Sequence, residues 1–143
     1  MGNHEADGGR HPTPCPFCRL IASDEPLRES PGGLVVAFLD GYPLSPGHML
    51  VTPRRHEPDL LGLTADESAE LWALAVEVCR EVKEEHGADG LTVGVNIGAA
   101  AGQTVAHVHL HIVPRRVGDV ADPRGGIRWV LPEQAAYWDG EEA

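Results

Sequence analysis

Cations are scarce in this chain. Eleven Lys and Arg stand against 22 Asp and Glu, and the formal net charge is −11. A surface of that sign repels phosphate backbones and anionic headgroups, so neither a nucleic acid nor a membrane is expected as partner. An anionic small molecule would need local compensation from Arg side chains, backbone N–H groups or a metal. Cysteine is scarce too, with only Cys15, Cys18 and Cys79. An odd count without a leader pattern argues against a disulfide framework and for a reducing, cytoplasmic setting. No apolar run approaches the ~20 residues of a membrane-spanning helix. The first 14 residues, with Gly, His, Asp and Pro, lack the apolar core of a signal peptide and are expected to be a disordered tail. What remains is ample for one domain: 143 residues, 42% of them hydrophobic, a size that buries roughly two thirds of the unfolded surface.

Histidine is where the chain is rich. From Ala106 to Arg115 it reads A-H-V-H-L-H-I-V-P-R, with His107, His109 and His111 alternating with Val108, Leu110 and Ile112. Strict alternation marks a half-buried strand, apolar on one face and carrying imidazoles about 7 Å apart on the other. Pro114, lacking an N–H, is expected to end it. A solvated surface strand has no need of three histidines in register. Neutral imidazole is a nucleophile, a proton carrier and a metal ligand near neutral pH, so phosphate or metal chemistry is the expectation.

Upstream, Cys15-Pro-Phe-Cys18 opens a short helical run through Leu20-Ile21-Ala22. A lone C-x-x-C serves a redox pair, half of a zinc site, or nothing. The β-α-β pattern of a thioredoxin does not follow it. Glu29 to Gly33 is turn chemistry, Leu34 to Leu39 a strand, and Asp40 stands at its end, where it either opens a turn toward Pro43 or faces a ligand. After the turn Ser45-Pro46-Gly47, His48 to Thr52 is a second strand. Thr64-Ala-Asp-Glu67 is a capping box. Leu71, Leu74, Ala75, Val78 and Val82 then recur at helical spacing, broadened by Trp72 and Cys79, to a stop at Gly87. Cys79 reads as a small core residue, and Glu81, Glu84 and Glu85 as a solvated face. Leu91 to Asn96 is a third strand. Ile97 to Gln103 is a Gly/Ala loop, where small residues let backbone approach a ligand, with Thr104 beside it. Arg115 and Arg116 serve either as charge near the site or as surface solvation. Gly125 to Val130 reads as a last strand, and a short helical turn begins at Leu131. The elements make an α+β fold, a long helix packed on an antiparallel meander, with a domain over 15–131 and a C-terminal tail over 132–143.

The run H-V-H-L-H-I-V resembles the histidine triad of the HIT superfamily, His-x-His-x-His followed by two apolar residues. P-G-H-M-L-V and A-G-Q-T-V-A-H also fit its pattern, which covers roughly Cys15 to Trp129. That resemblance implies a nucleotide-binding enzyme. His109 would be the nucleophile at an α-phosphorus. The carbonyl of His107 would hold the ring of His109, and His111 would contact phosphate or bridging oxygen. Asp40 would hold the ribose hydroxyls. His48 would stand near the triad, though on the residues alone it is equally a strand-edge histidine. Asn96, Gly102, Gln103 and Thr104 match phosphate-contacting positions. The resemblance further implies a structural Zn²⁺ on Cys15, Cys18, His56 and His107, no catalytic metal, a purine nucleotide substrate and a homodimer. It also sets Arg128 and Trp129 on the leaving-group side. His111 favours the hydrolase branch over transferases and phosphorylases, which often carry Gln there. The His run looks like the dinucleoside polyphosphate hydrolases, whereas Asn96 looks like the phosphoramidases, so the leaving group stays open.

Overall fold

Apolar residues at helical spacing behind a cap predict where the long helix must lie, and the computed structural model, which describes residues 15–139, places it there. The predicted disordered tail lies outside those residues. Thr64 and Glu67 exchange both capping-box hydrogen bonds, and α2 runs Ala65–Glu85 with His86 as C-cap. A short α1, Pro16–Ala22, precedes it, with Cys15 as N-cap and Pro16 in its first turn. The strands are β1 (Arg28–Glu29), β2 (Val35–Leu39), β3 (Met49–Pro53), β4 (Gly90–Val95) and β5 (Leu110–Arg115). They form one antiparallel sheet in the order β1-β2-β3-β5-β4. β1 to β3 make the expected meander. The crossover through α2 carries β4 to the far edge, and β5 returns into the gap beside β3.

The sheet is buried on both faces. Val35, Ala37, Val51, Leu110 and Ile112 pack beneath Leu71, Leu74, Ala75, Val78 and Val82 of α2, with Cys79 at the margin. Val36, Phe38 and Leu50 point the other way and meet Ile21 of α1. Trp72, expected to broaden the apolar stripe with Cys79, is instead 45% exposed. Two-residue β1 carries no sequence pattern and was not foreseen.

Three local expectations are corrected. Pro114 does not end the last strand; it pairs with Leu91. β3 reaches only to Ile112 on that side, and the Pro114 carbonyl accepts the Ser45 hydroxyl instead, so the missing N–H interrupts no ladder. At the other end the ladder starts at Leu110; His107 closes a bend, and His109 lies in the irregular segment that leads into the strand. The Val108 N–H there donates to Glu57 O, and its carbonyl accepts from the buried Thr52 hydroxyl at 2.6 Å. Gly125 to Val130 is not a strand but a 3₁₀ turn over Gly126–Val130. Positive φ at Gly125 and Gly126 turns the chain into i→i+3 bonding despite its β-favouring Ile, Trp and Val.

Candidate functional site

The sheet face turned away from α2 gathers the histidines, and fixed backbone partners decide which nitrogen of each ring carries the proton. His107 is fully buried. Its Nε2 lies 2.8 Å from the Pro53 carbonyl. A carbonyl can only accept, so Nε2 bears hydrogen and Nδ1 presents its lone pair. That Nδ1 faces Cys15 Sγ at 3.5 Å and Cys18 Sγ at 3.4 Å, and His56 Nδ1 lies 3.1 Å from Cys18 Sγ. The four donor atoms all lie within 4.8 Å of one another. Tetrahedral zinc on thiolate and imidazole gives sulfur–nitrogen edges of about 3.6 Å, so the donor set fits zinc. The C-x-x-C spacing works because Cys15 is the N-cap: its sulfur accepts the Cys18 N–H, and both sulfurs lie on one side of the first turn. Burial, then the hydrogen bond and charge of Cys15, push the Cys18 thiol up to about 12. A cation entering the cluster therefore displaces protons.

His109 is set the opposite way. Its Nδ1 lies 2.9 Å from the His107 carbonyl, so the proton sits on Nδ1 and Nε2 is left with a free lone pair. His48, also buried, accepts the Leu44 N–H at Nδ1, 3.0 Å away. Its proton is thereby on Nε2, which lies 3.0 Å from His111 Nδ1 and 3.4 Å from Asp40 Oδ2. His111 Nδ1 consequently accepts, and its own proton sits on Nε2. Burial is the main cause lowering the His48 pKa, opposed by Asp40. Burial also lowers that of His111, with the charges of His109 and His48 adding and Asp40 opposing. Asp40, His48 and His111 lie close enough for a metal, yet a proton on His48 Nε2 makes them a hydrogen-bonded chain.

Two cavities meet at this row. One, of roughly 680 Å³, is walled by Phe17, Phe38, Asp40 and Tyr42 and reaches Thr104, His109 and His111. The other, of roughly 830 Å³, is walled by Gly94, Ile127, Trp129 and Leu131. Asn96 and His111 border both.

Residues 32–118 match the HIT domain. The chain belongs to the HIT domain family. It is 46% identical over 86 residues to a bifunctional bis(5′-adenosyl)-triphosphatase/adenylylsulfatase of Arabidopsis thaliana, covering 60% of this chain and 48% of that one. An AP-4-A phosphorylase of Mycobacterium tuberculosis is 41% identical over 107 residues, covering 73% of this chain and 55% of that one. This chain thus spans about half the length of these two curated relatives. Among solved structures, a Zn-bound histidine triad family protein from Mycobacterium smegmatis has a TM-score of 0.65 at 33% identity, covering 89% of this chain and 97% of that one.

Within this HIT domain the loop before the triad departs from expectation. Gly98 and Gly102, at φ 85° and 91°, close a 3₁₀ turn over Ala99–Ala101, a backbone region where other residues are strained. Closing it engages the very donors expected for phosphate: Gly102 N–H bonds Ala99 O, and Gln103 N–H bonds Gly98 O. The Gln103 side chain is engaged as well, accepting Gly98 N–H and donating to Pro58 O and Val105 O. Gln103 is therefore the brace of the loop. Among the described residues Asn96 and Thr104 border the first cavity with side chains outside this network.

The arginines are engaged by other protein groups. Arg115 pairs with Asp119 and Thr92, and Arg116 donates to His86 O, both at the end of β5 away from the loop. Arg128 turns from the cavity and donates to Ala135 O and Gln134 O, its guanidinium 4.7 Å from the Tyr137 ring centroid. Trp129 does line the second cavity. Residues not singled out from the sequence matter too. Phe17 sits T-shaped to His109 at 4.9 Å between centroids, and its signal was one of only two Phe in the chain standing inside C-P-F-C. Arg55, beside His56, is clamped by buried Glu67 of the capping box at 2.8 and 3.1 Å.

Proposed function

We propose that this HIT domain hydrolyses dinucleoside polyphosphates such as diadenosine tetraphosphate, or nucleoside phosphoramidates, at the α-phosphate through a nucleotidyl-histidine intermediate. The observation that carries the reading is the hydrogen bond from His109 Nδ1–H to the His107 carbonyl, which leaves Nε2 as the nucleophilic lone pair beside a cavity of nucleoside size. Nε2 attacks the α-phosphorus, the N–P bond forms and the bond to the leaving group breaks. His111, protonated on Nε2 by the chain from Leu44 N–H through His48, donates to a phosphoryl or bridging oxygen. Thr104 and Asn96 add neutral donors there, each worth a few kcal/mol when aligned with developing charge. Asp40 receives the ribose hydroxyls and Phe17 and Phe38 cover a purine. The oxygen of a water then attacks the phosphorus, the N–P bond breaks, the mononucleotide leaves carrying that oxygen while the water's proton passes to solvent, and His109 Nε2 regains its lone pair. Cys15, Cys18, His56 and His107 would hold zinc as a closed, structural site.

A second reading, transfer of the nucleotidyl group to inorganic phosphate, is favoured by the likeness to the AP-4-A phosphorylase. Product analysis separates the two. Hydrolysis gives AMP from diadenosine tetraphosphate with or without phosphate; phosphorolysis gives ADP and needs phosphate. Trapping radiolabelled nucleotide on wild-type protein but not on His109→Ala tests the intermediate. The open edge of β4 and the resemblance point to a working homodimer, checked by light scattering, and the reduced thiols fit a cytoplasmic setting, checked by fractionation.

A further inference from the structure

We propose that the Cys–His cluster is a latch on the nucleobase end of the substrate: loading Cys15, Cys18, His56 and His107 with zinc seats α1, and the seating of α1 sets nucleotide affinity. The inference rests on the nucleotide reading above and adds its regulation. α1 has seven residues, far too short to persist as a helix on its own. Its apolar hold on the sheet is slight, with Ile21 buried against Val36, Phe38 and Leu50 and Phe17 and Leu20 only packed alongside. A further hold is the cluster. Both sulfurs belong to the first turn of α1, whereas His56 follows β3 and His107 leads into β5. Zinc bound there would tie α1 to the body through two bonds to its sulfurs and two to His56 and His107, where sulfur–nitrogen contacts of 3.1 to 3.5 Å otherwise do so weakly.

The same helix is a wall of the first cavity. Pro16, Phe17 and Leu20 line it, and the Phe17 ring stands 5.5 Å from Phe38 and 4.9 Å from His109. Phosphate and ribose contacts, at Thr104, His111 and Asp40, come from other elements. Loosening α1 hence removes the surface for a flat base and leaves the sugar-phosphate contacts standing. When only a fraction of molecules has the helix seated, the apparent dissociation constant rises by the inverse of that fraction. Cys15 and Cys18 are in this sense positioning residues for Phe17.

The test uses the full chain loaded with zinc and titrated with AMP and with ribose 5-phosphate, before and after a zinc-selective chelator. AMP affinity falls at least tenfold, about 1.4 kcal/mol, while ribose 5-phosphate changes less than twofold, and added Zn²⁺ restores both values. Trypsin cleavage after Arg19, within α1, accelerates at least tenfold on metal removal. Phe17→Ala, with zinc content unchanged, reproduces the selective loss of AMP. Equal loss of both ligands would overturn the latch, because the metal would then act on the phosphate end through His107. An unchanged AMP affinity in Phe17→Ala, or an unchanged rate of cleavage after Arg19, overturns it as well. If the loaded chain binds neither ligand, the nucleotide reading fails, and the trypsin comparison still decides the latch.

Discussion

Replacing His48 tests the proton chain behind the site. The ring is 1% exposed, accepts Leu44 N–H at 3.0 Å and gives its Nε2 proton to His111 at 3.0 Å. His48→Ala would abandon both partners and empty the space of a ring, a stability loss of about 3 kcal/mol that would blur any kinetic result. His48→Asn is cleaner. Its side-chain carbonyl takes the place of Nδ1 and keeps the Leu44 bond, while nothing reaches His111. Removing a donor aimed at developing charge costs about 2.7–4 kcal/mol. Here the donor stays and only its orientation and tautomer are freed, so about 1.4–2.7 kcal/mol is expected, a 10- to 100-fold fall in kcat. KM should change by less than about threefold, since binding contacts are intact. His48→Gln, whose amide reaches toward the Nε2 position, recovers part of the rate. The pH profile supplies a second readout. Burial holds His111 below the usual histidine value, aided by the charges of its neighbours. Freed from the His48 donor, its Nδ1 takes a proton more readily, and the acidic limb of kcat moves to higher pH. Single-turnover AMP release from diadenosine tetraphosphate, with a thermal melt to confirm folding, measures both. A His48→Asn protein with wild-type kcat and an unmoved acidic limb would refute the tautomer argument.

Other outcomes follow from the same geometry. Glu67→Gln weakens the clamp on Arg55; with Arg55 half exposed, about 1–2 kcal/mol of stability is lost in a urea titration. The Glu67 carboxyl lies below its ordinary 4.5, chiefly through Arg55, so its contribution is present above that value and disappears as pH falls through the lowered one. A wild-type urea midpoint indifferent to acid below pH 4.5 contradicts this. Zinc should bind at one ion per chain and more tightly as pH rises from 6 to 8, because the Cys18 thiol, at about 12, must give up its proton. Competition with a chromophoric chelator reads this, and a pH-independent affinity rules out the thiolate ligands. Trp129→Ala should alter the ratio of kcat/KM between diadenosine tetraphosphate and an adenosine phosphoramidate while leaving AMP affinity within twofold; an unaltered ratio removes Trp129 from leaving-group selection.

Much of the architecture was legible because it rests on local rules. The capping box, the helical stripe from Leu71 to Val82 and the stop before Gly87 are properties of contiguous residues. So is the alternation that buries Leu110 and Ile112 under α2. Patterns whose outcome depends on distant partners misled. Pro114 stays in a strand because β3 is short beside it. The Ile-Arg-Trp-Val run coils because two glycines with positive φ precede it. The resemblance set Arg128 on the leaving-group side, and the Ala135 and Gln134 carbonyls took it.

The three histidines stood out by their alternation, whereas the four metal donors were named only through the family resemblance, because a lone C-x-x-C leaves its purpose and its distant partners open. Chain order by itself thus determined which side chains exist to do chemistry and on which elements they ride. Only the folded structure decided what each could do. A histidine is donor or nucleophile according to which backbone group lies against its other nitrogen, and those groups, Pro53 O at the end of β3, Leu44 N–H in the turn before β3 and the His107 carbonyl ahead of β5, are brought to the rings by packing across the whole sheet.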